Sequence, residues 1–329
     1  MRFASKKRLI TILAIVLIAV AFTATILTVY FWEKKHSDFD SPSDFEMAGV
    51  LEYEGEKYTV REDVQTLLVI GLDTFEKEDD ASPSYNNDKC ADFLSLFVFD
   101  RHAGTYSVIH LNRETITDVT ILGVGGQKIG TVSQQLALAH TYGSGSDDSC
   151  RNTARAVSKV FGGMRIDRYI SITMDAVAEL SDMVGGVTLT VKDDLTKIDE
   201  TLKKGEVVTL RGEQALHYVR ARSSVEDSTN AARMERQKQY MDALYDQMSV
   251  YVEENGSFSH TDVTSISKYM TTDCSANELD RLAEKLPTLQ KDAIFSLEGE
   301  YKVGKYVEFY PYDNSVKNLL VKLFYKIKK

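Results

Sequence analysis

Leu67-Leu68-Val69-Ile70-Gly71-Leu72, followed at once by Asp73, is the stretch on which the fold turns. Six consecutive apolar residues, two of them β-branched, have the length of a strand buried on both faces. Working outward, Phe93–Asp100 (FLSLFVFD) and Tyr106–Leu111 (YSVIHL) read as two further strands, joined by the turn Arg101-His102-Ala103-Gly104. Helical patterns follow at Ser133–His140 and Thr153–Phe161, then a strand at Tyr169–Thr173, a helix at Asp175–Val184 and a strand at Gly186–Val191. Gly212–Tyr218 reads as a short helix leading into a strand at Val219–Arg222, and Asn230–Val250 as the longest amphipathic helix. Helices at Val263–Met270 and Ala276–Leu286, a strand pair within Ala293–Tyr310 and a helix at Asn314–Tyr325 complete the pattern. Hairpins alternate with crossovers, so the expectation is an α/β fold with a mixed sheet covered by helices.

Upstream of this pattern the chain changes character. Arg2, Lys6, Lys7 and Arg8 precede Leu9–Trp32, 24 residues without a charge. At about 1.5 Å per helical residue that run crosses a hydrocarbon core of roughly 30 Å. Tyr30 and Trp32 fall where an interfacial aromatic belt would lie. The expectation is one transmembrane helix, with residues 1–8 a cytoplasmic stub and the bulk of the chain outside the cell membrane. Ala19-Val20-Ala21 has the form of a signal-peptide cleavage site, but the apolar run continues well past it. Residues 33–66 read as a polar stalk with a small hairpin at Val50–Val60, turning at Glu54-Gly55.

Charge narrows the function classes. The 329 residues carry 39 Lys+Arg against 49 Asp+Glu, a net charge of −10. That balance argues against a general nucleic-acid binder, which needs a basic face to release counterions. An anionic ligand must therefore be met by a local cluster of cations. The basic carboxy-terminal KNLLVKLFYKIKK reads as a docked final helix with solvated lysines rather than a membrane-surface helix.

Five of the arginines fall between Arg211 and Arg236. Read as a strand, Arg220 and Arg222 share a face. Arg233, Arg236 and Gln237 lie at i, i+3 and i+4, one side of a helix. Four guanidinium forks from a strand end and the next helix suit phosphate oxygens, since they donate in pairs and keep their charge when desolvated. The competing reading pairs each arginine with a nearby acid: Glu226, Asp227 or Glu235. The opposite charge appears at strand ends. Asp73 ends one apolar run and Asp92 precedes another, reaching the same rim if the two strands run antiparallel. Two carboxylates beside arginines resemble a Mg²⁺–pyrophosphate site, although aspartates flanking strands are also common turn residues.

Other chemistries fit less well. Gly123-Val124-Gly125-Gly126-Gln127-Lys128 lacks the ending of a phosphate loop, and Tyr142-Gly143-Ser144-Gly145-Ser146 lacks the spacing of a nucleophile elbow. Six histidines and three cysteines show no zinc spacing. Facing an oxidising exterior, Cys90, Cys150 and Cys274 allow at most one internal bridge, with Cys90–Cys150 preferred because both neighbour loops that border the site.

Taken in order, LLVIGLD, CADFLSLFVFD, VIHLNRET, LALAHTYGSG, DMVGGVTLTV, LRGEQALHYVRAR and AARMERQKQYMDAL resemble the LytR-CpsA-Psr family of Gram-positive envelope enzymes. The resemblance covers roughly Leu67 to Met248. It implies a catalytic domain over residues 67–250, with residues 251–329 an α/β extension packed on it, and a mixed sheet sandwiched by helices around an apolar lipid tunnel. Leu136–Leu138 and Val177–Met183 are candidates for the tunnel wall, with core packing the competing role. The implied activity is transfer of a glycopolymer from polyprenyl pyrophosphate to a hydroxyl of peptidoglycan, outside the membrane. Carried over by position, Asp73 and Asp92 would hold Mg²⁺, with Mn²⁺ a substitute. Arg113, Arg220, Arg222 and Arg233 would bind the pyrophosphate, with Gln237 beside them, and Asp92 or Glu114 would take the proton of the acceptor hydroxyl. The alternatives are a polyprenyl-pyrophosphate hydrolase and a non-catalytic scaffold that binds lipid-linked polymer.

The sequence departs from the family pattern at four places. Cys90 stands where an arginine is usual, and Asn112-Arg113-Glu114 replaces Pro-Arg-Asp. Gln135 replaces a common lysine, and Asn230 replaces an aspartate. Two cations and one anion of the usual surroundings are thus neutral, which bears on rate, acceptor and polymer class.

Overall fold

The computed structural model describes residues 49–74, 87–221, 230–256 and 258–328. The expected span Leu9–Trp32 and Arg222 lie outside them. Among the described residues no helix is long and apolar enough to cross a membrane.

β1 (Val50–Tyr53) and β2 (Glu56–Val60) form the expected hairpin, with Glu54 and Gly55 both at positive φ in its two-residue turn. β3 (Val64–Thr74), β4 (Lys89–Asp100) and β5 (Thr105–His110) are the long strands read from the apolar runs. β6 (Ile116–Leu122) and β7 (Lys128–Gln135) pair as a second hairpin. Its turn is the Gly123–Gly126 segment, in which Gly126 (φ 77°) donates to the Gly123 carbonyl. A 3₁₀ segment at Leu136–Thr141 leads to α1 (Asp147–Val160), β8 (Arg168–Thr173), α2 (Ala176–Met183), β9 (Val187–Thr190) and β10 (Val207–Leu210). Then come α3 (Gly212–Arg220), α4 (Asn230–Asn255), α5 (His260–Ser267), β11 (Met270–Thr272), α6 (Ala276–Lys285) and β12 (Gln290–Ser296). β13 (Gly299–Val303), β14 (Val307–Pro311), α7 (Asp313–Phe324) and β15 (Tyr325–Ile327) follow.

The central sheet has the order β11-β8-β3-β4-β5-β12. β3 runs parallel to β8 and antiparallel to β4, and β5 runs antiparallel to β4 and parallel to β12, so the sheet is mixed as expected. Both faces are covered. Leu68, Ile70, Leu94, Leu96 and Ile109 pack with Ala156 and Val157 of α1 and Leu319 and Phe324 of α7. The alternate residues Leu67, Phe97, Tyr106 and Val108 face Tyr245 of α4 and Leu279 and Leu282 of α6. This period-two division explains why the strands read as continuous apolar runs. α7 is thus docked through its apolar face, in accord with the reading of the basic carboxy-terminal segment as a final helix on the sheet.

Three local expectations are corrected. Ser133–His140 is not helical: Ser133–Gln135 finish β7, and only a 3₁₀ segment follows. Val219 and Arg220 are not in a strand but close α3, where Arg220 favourably meets the negative end of the helix dipole. The strand pair expected within Ala293–Tyr310 is three strands, β12, β13 and β14.

The cysteine bridge is also corrected. Cys90, Cys150 and Cys274 are all free thiols. The Cys90 thiol lies 3.5 Å from the Ala137 carbonyl, and Cys150 Sγ lies 3.7 Å from His140 Nε2, so each buried thiol has a different partner. Burial pushes Cys90 up to about 11 and Cys150 up to about 12.

Candidate active site

The site begins with an irregularity in the β3–β4 ladder. Asp73 pairs with Cys90 and Leu72 with Ala91, but Gly71 pairs with Phe93, so Asp92 is the extra residue of a bulge. The side-chain parity confirms it: Ala91 and Leu94, three apart, both face the α1 side of the sheet. The bulge forms where Gly71 lets Phe93 approach, since a Cβ on Gly71 would lie 2.9 Å from Phe93 Cβ. Because β3 and β4 are antiparallel, Asp73 at the end of one and Asp92 near the start of the other share a rim, as the sequence reading required.

Two guanidiniums converge on Asp92. Arg113 Nη2 lies 3.2 Å from its Oδ1, and Arg233 Nη1 of α4 lies 2.9 Å from its Oδ2. Asp92 and Arg233 are only 3% and 2% exposed, so removing either leaves a buried charge short of a partner. Arg113 follows β5 and also donates to Cys90 Sγ at 3.3 Å. Arg113 and Arg233 thus bring two guanidiniums to one point of the rim, donors of the kind that suit phosphate oxygens. Arg220, at the end of α3, lies 3.2 Å from Asp73 and 3.4 Å from Asp175. The Nε–H groups of Arg113 and Arg220 are buried and have no hydrogen-bond partner among the described residues, which leaves donor capacity for phosphate oxygens.

The remaining candidates divide. Gln237 is buried at 3% exposure; its Nε2 reaches the Val219 carbonyl at 3.4 Å, and its Oε1 has no partner among the described residues. Glu114 is 8% exposed, and its carbonyl accepts from Phe309 N of β14 at 2.9 Å. Arg236, read as part of the helical cluster, turns away to Asp193 at 2.6 Å and to the Ala221 carbonyl. Gln135 does not reach the rim; its Nε2 donates to the Val307 carbonyl at 2.6 Å. Of the acids that could have paired with these arginines, Glu235 binds Lys192 at 2.7 Å, and Glu226 and Asp227 lie outside the described residues.

Two apolar cavities continue from this rim. One of about 70 Å³ lies between Gly71 and Phe93 of the sheet, Val177 and Leu180 of α2, and Gln237 and Leu244 of α4. A second, about 170 Å³, shares Leu180 and extends past Met183 and Met248 to Leu282 and Leu286. Of the segments expected to wall a tunnel, Val177–Met183 contributes to these cavities, whereas Leu136 is packed in the core on the opposite face of the sheet.

A third cleft, about 480 Å³, opens on the other side of Asp92 and Gln237. One wall consists of Tyr301, Phe309 and Tyr312 from the chain after β12. The site residues expected from the sequence run from Asp73 to Gln237 and do not include this wall. The signal available was the density of exposed-type aromatics in residues 301–312, in a segment that matched the family only loosely.

The chain is 28% identical over 166 residues to the polyisoprenyl-teichoic acid–peptidoglycan teichoic acid transferase TagV of Bacillus subtilis, spanning 48% of this chain and 39% of that protein. It is 23% identical over 242 residues to TagU of Halalkalibacterium halodurans, which bears the same description, spanning 73% of this chain and 66% of that protein. The chain thus covers about two fifths of TagV and just under two thirds of that TagU. Among solved structures, B. subtilis TagV superposes with a TM-score of 0.59 at 21% identity, covering 80% of this chain and 96% of that one. TagT bound to LIIa-WTA superposes with a TM-score of 0.58 at 19% identity, covering 80% and 90%. These structures share the fold. The profile of the LytR_cpsA_psr family matches residues 32–329, nearly the whole chain, and the protein belongs to that family.

Proposed function

We propose that this chain is a membrane-anchored phosphotransferase acting outside the cell, which moves a glycopolymer from polyprenyl pyrophosphate onto a peptidoglycan hydroxyl. The observation that carries the reading is the junction at Gln237. There a rim of Arg113, Arg220 and Arg233 with Asp73 and Asp92 adjoins a row of apolar cavities on one side and a polar cleft on the other. A lipid pyrophosphate needs that combination: cations for the phosphates, an apolar path for the chain and a polar opening for the glycan. The relatives' names, which pair polyisoprenyl-linked teichoic acid with peptidoglycan, support it. Leu9–Trp32 would supply the anchor.

In the reaction the acceptor hydroxyl attacks the glycan-side phosphorus, and the bond from that phosphorus to the bridging oxygen breaks. Polyprenyl phosphate leaves with the electron pair. Arg113, Arg220 and Arg233 offset the charge that grows on the leaving oxygen, the main requirement of phosphoryl transfer. Arg222 lies two residues beyond Arg220 and would join them. Asp92 or Glu114 would take the hydroxyl proton, so that attack and proton loss occur together. Asp73 and Asp92, on one rim, would hold a Mg²⁺ ion, a cation that takes one or two carboxylates and fills its shell with water and phosphate oxygens. Among the described residues no third His, Cys, Asp or Glu joins them. When bound, the ion would neutralise phosphate charge.

The test is a product assay with the full chain, Mg²⁺ and a polyprenyl-pyrophosphate glycan, with and without a soluble peptidoglycan glycan. Acceptor-dependent phosphodiester formation is expected. Equal phosphate release without acceptor would make the protein a hydrolase. Binding without turnover, unchanged by Arg113→Ala plus Arg220→Ala, would refute the site.

A further inference from the structure

The cleft beside Asp92 is closed by a hairpin far away in the sequence. β13 and β14 are held there by several contacts: Asn112 Nδ2 donates to Tyr301 Oη at 2.8 Å, Phe309 N donates to the Glu114 carbonyl, and Gln135 Nε2 to the Val307 carbonyl. Gly299 lets the two strands close up, since a Cβ there would lie 2.3 Å from the Tyr310 carbonyl. The hairpin is therefore fixed relative to the Asn112-Arg113-Glu114 segment. Even so, Tyr301 and Tyr312 remain 49% and 54% exposed on the cleft wall.

Facing them are Glu235 and Lys238 of α4, with His110 and Asp92 deeper in. His110 accepts from or donates to Ser95 Oγ through Nδ1 at 2.7 Å, and its Nε2 has no partner among the described residues. Burial, then Lys238, lowers its pKa to about 4, so the ring is neutral and able to serve a hydroxyl as donor or acceptor. The volume, about 480 Å³, falls within the roughly 300–1,000 Å³ of small-molecule sites.

The chemistry discriminates among ligands. A lipid chain would leave Asp92, Glu235 and Lys238 unsolvated, and apolar cavities lie on the other side of Gln237. A polyanion would meet three carboxylates, Asp92, Glu235 and Glu298, and a single lysine. A sugar ring satisfies both parts, placing its C–H face on a tyrosine ring and its hydroxyls, each donor and acceptor, among mixed polar groups. We infer that this cleft is a saccharide subsite, with Tyr301 and Tyr312 as stacking platforms and Glu235, Lys238 and His110 as hydroxyl partners, opening beside Asp92. The inference rests on the proposed glycopolymer transfer, in which the sugar belongs either to the acceptor strand or to the donor glycan.

The test is a calorimetric titration of the full chain in detergent. One probe is an uncross-linked peptidoglycan tetrasaccharide, and the other a short-chain prenyl-pyrophosphate N-acetylglucosamine disaccharide. Tyr312→Ala alters an exposed ring on one wall, and Lys238→Ala the opposite wall, so the second does not depend on the hairpin. Each variant is expected to weaken at least one probe by tenfold or more. Loss confined to the tetrasaccharide assigns the subsite to the acceptor, and loss confined to the pyrophosphate disaccharide assigns it to the donor. Unchanged binding of both probes in both variants, or no saccharide binding by the wild type at millimolar concentration, overturns the inference. Arg220→Ala serves as the separate control. If it leaves the pyrophosphate probe unaffected while Tyr312→Ala abolishes tetrasaccharide binding, the transferase reading fails and the saccharide site stands.

Discussion

Arg220 and Arg233 are both arginines facing a strand-end aspartate, yet burial gives them different weights. The Arg220 side chain is 38% exposed, and water screens its contact with Asp73. Arg220→Ala is expected to change unfolding free energy by no more than roughly 1 kcal/mol. Turnover should fall by roughly 10²–10³, as when a donor to developing charge is removed. Arg233→Ala strips one of two cations from a carboxylate that is 3% exposed. It should cost roughly 3 kcal/mol of stability in addition to activity. Urea unfolding set beside the product assay separates the two effects; equal destabilisation by both substitutions would contradict this ranking. The thiols give a second residue-scale expectation. Cys90 and Cys150 are buried and shifted up to about 11 and about 12, so neither should react with a disulfide reagent at pH 8 in the native protein. Three thiols should appear in urea without reductant, and fewer would revive the bridge. The sequence showed that Cys90 was unusual but not what it touches, because its contacts with Arg113 and Ala137 come from chain 23 and 47 residues away.

At the scale of elements, the bulge in β4 aims the site. A regular ladder would alternate Cys90, Ala91, Asp92 and Phe93 strictly between faces; one extra residue breaks that parity and leaves Asp92 beside two arginines. Gly71→Ala should push Phe93 away and strain this irregularity. The expectation is a loss of roughly 1–3 kcal/mol, together with reduced turnover and weaker binding of the prenyl-pyrophosphate probe. A variant with lower Tm but normal probe binding would show that the bulge tolerates the shift. α3 shows where pattern reading misleads. Tyr218-Val219-Arg220-Ala221-Arg222 alternates over five residues, which suits a strand. Yet Ala215, Leu216 and Val219 are buried at helical spacing, and the helix continues to Arg220. Periodicity in so short a window cannot separate the two, and packing of α3 against α2 and α4 selects the helix. The arginine rim survives the misreading because Arg220 still ends at Asp73.

Across the whole molecule, burial of two histidines ties stability to pH. His110 and His140 are both shifted down to about 4, principally by burial. Above the unfolded value near 6.5 they are neutral in both states and contribute nothing. Between 6.5 and 4 the unfolded chain takes up protons that the native protein refuses, so stability falls as pH falls. By pH 5 the loss should reach roughly 2 kcal/mol for each histidine. Urea unfolding at pH 7.5 and pH 5 tests this, and assigned His110 and His140 imidazole resonances that titrate near 6.5 in the native protein would refute it. The sequence by itself determined the α/β class, the mixed sheet, the acidic balance and the identity of most rim residues. Each of these depends on local pattern: apolar runs of strand length, charge placed next to them, and an ordered series of blocks. Only the tertiary structure decided which arginine is buried and which is screened, that the three cysteines stay apart, and that the hairpin after β12 closes the cleft beside Asp92. Those outcomes depend on contacts between residues far apart in the chain, such as Asn112 with Tyr301 and Asp92 with Arg233, and local periodicity carries no information about which distant partners meet.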